Sequence, residues 1–249
     1  MKLLQSVLFA IASLAAIGTN EAWAVELSNV SAAEAARQPS MASLTVAELE
    51  ARMGRGDLNA QAELGARYGR GDGVTRDVPK AIALLEDAAA NNNAEAQHWL
   101  ATAYATGVGV PKIETKAALL YEKAAKQGHP EALYMMGVLI SNGQAGFSAS
   151  WSGAFPYFWK SADRGFPPAE LMLGMIYHEG KGIDANPQAA AYWYRRTFAR
   201  QQNARAAFYL AQLVGEGLVA WQPGDPVEMP GANLKAAPAA DLSPPKLAP

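Results

Sequence analysis

The 249-residue chain is half apolar by composition, sets 21 basic residues against 23 acidic ones, and contains no cysteine. A formal charge of −2 with no basic stripe argues against nucleic acid and anionic lipid as partners. Without disulfides, burial alone must hold the fold together.

The first 24 residues read as a cleavable signal peptide. Lys2 supplies a positive n-region, Leu3 to Ile17 an apolar h-region, and Ala22-Trp23-Ala24 an A-x-A cleavage site. The apolar run is too short for a transmembrane anchor. Cleavage after Ala24 is expected to export the chain to the periplasm with no remaining membrane span. Residues 25–42, rich in Ala, Ser and Asn, read as a flexible linker. Thr45-x2-Glu48 is a capping box that opens a helix with Val46, Leu49 and Met53 on one face. Gly56 stands four residues before Ala60, as Gly128 stands four before Ala132. This helix is therefore expected to be the second half of a truncated repeat that caps the N-terminal end of the array.

From Ala60 the chain repeats itself. Ala60, Leu64, Gly65, Tyr68, Gly71, Gly73, Lys80, Ala81, Leu84 and Ala88 recur as Ala96, Leu100, Ala101, Tyr104, Gly107, Gly109, Lys116, Ala117, Leu120 and Ala124. Further copies start at Ala132, Ala169 and Ala206, spaced by 36, 36, 37 and 37 residues. Self-similarity at this period marks a solenoid. Each unit predicts two helices. Leu64, Gly65 and Tyr68 share a stripe on the first, and small residues at the Ala60 and Gly65 positions admit a close neighbour. The glycine pair suits the reversal, Asp77 caps the second helix, and Pro79 falls in its first turn. Asn186-Pro187 repeats that start signal.

These residues resemble the Sel-one-like repeat, a relative of the tetratricopeptide repeat, over roughly residues 56–217. The third copy departs from the pattern, with Ile140 replacing the tyrosine and Gly143 alone of the glycine pair; the second places Ile113 where Asp77 would cap. The resemblance implies an all-α, right-handed solenoid of stacked helix pairs, about four full repeats with half-repeats at the ends, over residues 43–221. It also implies a non-enzymatic adaptor or regulator that binds a protein or peptide, an envelope or periplasmic protein given the leader. An alternative from the same resemblance is a cell-wall-related enzyme that binds or hydrolyses penicillin-like compounds. After Gly217 proline takes over, and residues 222–249 read as a disordered tail, either inert or a ligand for another domain.

Chemistry-bearing constellations are sparse. His98, His129 and His178 sit at different repeat offsets without ligand spacing, so neither metal nor cofactor is expected, and His129 in its inter-repeat turn reads as solvated. Gly180-Lys181 lacks the rest of a phosphate loop, and Ser243-x2-Lys246 lies between prolines rather than at a helix start. Acidic residues read as caps and outer-face charges.

A surface is the better candidate. Positions two, six and nine after each leading alanine share a face of the first helix; in the tetratricopeptide relatives the corresponding positions line the concave groove. They are Ala62, Ala66 and Gly69, then His98, Thr102 and Ala105, then Tyr134, Val138 and Ser141. Leu171, Met175 and His178 follow, and finally Phe208, Gln212 and Gly215. None carries a fixed charge, which suits an apolar segment or partner helix, unless tight curvature buries the strip. His98 and His178 beside it are expected to titrate in the environmental range. Trp151, in a lengthened loop, either fills the gap left by the missing tyrosine and glycine or forms an aromatic wedge.

Overall fold

A computed structural model describes residues 40–225; the leader, most of the expected linker and the tail beyond Asp225 lie outside the described residues. The chain divides into two compact units at Leu44/Thr45. Of the first, the described residues hold a single 3-10 turn, Met41–Ser43. The described part of the second holds ten α-helices and no strand: α1 Val46–Met53, α2 Leu58–Arg70, α3 Val78–Ala90, α4 Ala94–Thr106, α5 Glu114–Lys126, α6 Pro130–Asn142, α7 Trp151–Asp163, α8 Pro167–Glu179, α9 Pro187–Gln201 and α10 Ala204–Gly215. Helices pack most extensively as the pairs α2–α3, α4–α5, α6–α7 and α8–α9, and each pair packs on the next through its second helix. The result is a helical solenoid.

The helix boundaries follow from local chemistry. Thr45 and Glu48 form the capping box of α1. Asp57, Asp77, Asn93, Ser150, Asn186 and Asn203 each accept a first-turn backbone N–H. Ile113 caps nothing, as its side chain dictates. Gly71, Gly107, Gly143 and Gly180 close the first helices in the left-handed region, which L-residues enter at a cost.

Two contacts set the pitch of the stack. Within a repeat, the second helix presents a large buried side chain to the small residue of the first. Leu85, Tyr121, Phe158 and Tyr194 form that column, all at most 4% exposed. A Cβ on Gly65 would lie 3.0 Å from Leu85 and one on Gly137 2.7 Å from Phe158, so glycine is a packing requirement there. Between repeats, the second glycine of the loop rests on the start of the preceding second helix. A Cβ on Gly109 would collide with Val78, one on Gly182 with the backbone of Trp151–Ser152, and one on Gly73 would touch Val46 at 3.7 Å. Val46 thus stands to α2 as Val78 stands to α4, which makes α1 a second helix without its first.

The third copy solves its defects differently from the expectation. Trp151 is not a loop residue but the first residue of α7, with Ser150 as cap. Lys181 lies 5.0 Å over its ring, and Gly182 sits on its backbone, so it serves the joint to the fourth repeat. Phe155 and Phe158 are buried, and Pro156 removes one internal hydrogen bond from α7 without ending it.

Leu100 is 5% exposed in the core formed by α2–α6. Leu100→Ala is therefore expected to cost about 2–5 kcal/mol. Gly109→Val combines a φ of +76° with the Val78 collision and should also be destabilising. Thermal melts check both; shifts near zero would contradict this register.

Candidate functional site

The uncharged positions on the first helices form a strip that opens along the chain. Ala62 and Ala66 on α2 are buried under their neighbours. His98 on α4 is 9% exposed, and the Thr102 hydroxyl donates to the His98 carbonyl and accepts a 2.9 Å hydrogen bond from the Tyr121 hydroxyl of α5. Tyr134, Val138, Leu171 and Met175 are half-buried. Tyr134 packs its ring against Phe158 and Phe166, with centroids 5.6 and 5.4 Å away, and burial raises the pKa of its phenol. His178 is half-buried, its Nδ1 3.3 Å from the Tyr194 hydroxyl and its ring edge-on to Tyr194 and Tyr209. Phe208 on α10 is 65% exposed, and Gln212 beside it donates to Glu216.

The gradient has a simple cause. Small side chains at the N-terminal end let the neighbouring helices close over the strip, whereas Tyr134, Leu171 and Met175 prop it open. No further first helix follows α10 within the described residues, so Phe208 has nothing over it. Half-buried Met135 and Met172 flank the strip, and methionine adapts to irregular apolar partners. The residue pattern had not singled these two out; their signal was the repeated methionine one position after Tyr134 and after Leu171.

The histidines depart from expectation. His129 is 9% exposed rather than solvated. Its Nδ1 accepts the Ala132 N–H at 3.3 Å, capping α6, and its Nε2 lies 2.9 Å from Glu95. That hydrogen bond holds the Glu95 carboxyl below its usual range, together with one from Trp99 Nε1 at 2.7 Å. His98 stacks on His129 at 4.7 Å and 18°, with Trp99 and Tyr121 on its other sides. Burial first, and the neighbouring His129 second, push His98 down to about 4. It therefore does not titrate in the ordinary histidine range.

One acidic residue is likewise not a surface charge. Glu170 is fully buried at the start of α8, with Arg196 at 2.9 Å and Arg200 at 3.1 Å from α9. The pair fastens the fourth helix hairpin. Among the described residues no group of three or more His, Asp or Glu is placed to hold a metal ion, and no helix is long and apolar enough to cross a membrane.

The Sel1 repeat profile matches residues 58–93, 94–129, 130–165 and 167–199, together more than half of the chain. Among solved structures, a Sel1 repeat protein from Oxalobacter formigenes is 29% identical with a TM-score of 0.62, covering 69% of each chain. c5321, a protective antigen of uropathogenic Escherichia coli that displays an SLR fold, is 28% identical with a TM-score of 0.62 over 70% of this chain. The match spans only 37% of the c5321 chain. No curated protein matches the chain. The chain belongs to the Sel1 repeat family, whose members are generally non-enzymatic modules for protein–protein interaction.

Proposed function

We propose that this chain is an exported adaptor or regulator of an envelope process, which holds an apolar segment or helix of a protein partner along the strip on its first helices. The observation that carries this reading is the run Tyr134, Val138, Leu171, Met175 and Phe208. It is partly to largely exposed, lies on consecutive first helices, and contains no charge. A monomer has little reason to leave such a strip open unless a partner covers it. The leader motif from Lys2 to Ala24 supports export. Intact mass of the cell-made protein checks this, and retention of residues 1–24 in a soluble product would contradict it.

Affinity should depend on the middle of the strip, where aromatic anchors count most. Tyr134→Ala combined with Leu171→Ala is expected to weaken binding of a partner cross-linked in the envelope at least tenfold, about 1.4 kcal/mol. Because Tyr134 also packs on Phe158, circular dichroism must show the fold retained. Phe208→Ala, at an exposed position, provides a variant with little packing cost. Unchanged calorimetric affinity in both folded variants would move the site off this strip.

A further inference from the structure

The joint between the second and third repeats contains a feature that helix packing alone does not require. His98 lies on α4 and His129 is the N-cap of α6, and their rings stack face to face at 4.7 Å, each residue 9% exposed. Nδ1 of His98 is buried without a hydrogen-bond partner. Buried polar contacts within the helix pairs use amides, hydroxyls or ion pairs instead: Gln97 with Gln127 at 2.8 Å, Ser161 with the Pro130 carbonyl at 2.7 Å, and Glu170 with its two arginines. An imidazole pair differs from all of these because an imidazole can change its charge, and Nδ1 of His98 has no acceptor in reach for an added proton.

We propose that the stacked His98–His129 pair is an acid-opened seam: protonation of His98 separates the α4–α5 hairpin from the start of α6, while the repeats from α7 onward stay closed. Every group facing the pair bears on the outcome. From α4, Glu95 binds His129 Nε2, and Trp99 meets the His98 ring edge-on. From α5, Tyr121 lies 5.8 Å away with its hydroxyl committed to Thr102. From α6, Glu131 stands 3.5 Å from His129 Nδ1. Both carboxylates thus address His129, and neither is in hydrogen-bond contact with His98. A proton placed on His98 while closed would be buried, without an acceptor, against a ring that already uses both nitrogens. It is accommodated only by opening.

The opening is local because the apolar core is in two parts. Tyr121, against His98, belongs with Leu100, Ala101, Ala132 and Leu133 to one cluster, and Ala154 through Val219 form a second that meets the first at Ile140. The linkage has a definite sign. His98 is depressed from 6.5 to about 4 when closed, so above pH 6.5 it is neutral in both states and adds no pH dependence. As pH falls from 6.5 towards 4, the open form takes up a proton that the closed form refuses. The opening constant should then rise about tenfold per pH unit, to about 100-fold by pH 4.5.

Hydrogen exchange on the whole protein between about pH 7.5 and about pH 4.5, corrected for intrinsic rates, tests this. Amides of Ala96–Tyr104 and Ala132–Met136 are expected to lose protection with that slope, while Leu173–Tyr177 and Ala190–Tyr194 keep theirs. His98→Phe, which retains a stacking ring without a titratable group, should flatten the slope. Equal loss in both halves, no loss at the seam, or a slope surviving in His98→Phe would each overturn the proposal. The wild-type imidazole proton resonances give an independent reading. His98 titrating near 6.5 in the folded protein would refute it even if no variant folds.

Discussion

Replacing Tyr194 by alanine should cost about 3–5 kcal/mol, the range for emptying a fully buried aromatic site. For an array of this size that is roughly a 10 °C drop in Tm. Tyr194 is the last of the large side chains set against small residues, and it is 0% exposed. Its ring fills the space left by Gly174 on α8, where a Cβ would collide with it. On its other face Tyr209 of α10 stacks at 5.4 Å and 20°. One ring therefore joins three helices. Tyr194→Phe isolates the hydroxyl, whose contact within the described residues is His178 at 3.3 Å. Losing that bond should cost no more than about 1 kcal/mol. Differential scanning calorimetry separates the two. If Tyr194→Ala melts within a degree or so of wild type, the column does not hold the repeats together.

The same column shows what was legible in the residues and what was not. Helix starts and stops were readable because they are local: Asp77 caps α3, Asn186 with Pro187 opens α9, and Gly71 closes α2 within a few residues of each signal. The column itself was harder, because its members are Leu85, Tyr121, Phe158 and Tyr194, and no residue type repeats throughout. Its signal lay in the partner position, where Gly65, Ala101, Gly137 and Gly174 stay small. His129 was misread for a different reason. A residue before proline in a turn looks solvated when only its chain neighbours are considered, yet the groups that cover it, Glu95 and His98, belong to the helix 31 to 34 residues earlier. Glu170 fails the same test, since its partners Arg196 and Arg200 lie a helix away. The strip residues were identifiable by spacing, but their graded exposure depends on side-chain size across adjacent helices.

The second large effect concerns the C-terminal end. The fifth copy stops after its first helix, which leaves Leu210, Leu213 and Val214 of α10 without the second helix that covers the equivalent face in other repeats. Glu216–Asp225 takes that place without being helical. Val219 is 7% exposed within the same core cluster. Gln188, early in α9, donates to the Leu218 carbonyl at 3.3 Å. Arg195, two turns on, donates to Ala220 and holds both oxygens of Asp225 at 2.7 and 2.9 Å. The segment thus runs along α9 in the direction a second helix would take, and Trp221 is half-buried within it. The packed chain reaches Asp225, four residues beyond the end expected at Trp221. Ending the chain after Gly217 removes a buried valine, about 1.5–3 kcal/mol, and strands Arg195 without its carboxylate. It also bares the α10 face that capping segments shield from self-association. Such a truncation should melt well below the full chain or form oligomers by light scattering, whereas deleting residues 231–249 should leave Tm unchanged. Asp225→Ala, which spares Val219, should fall between them. Equal melts for both truncations, each monomeric, would show that the segment after α10 does not cap the array.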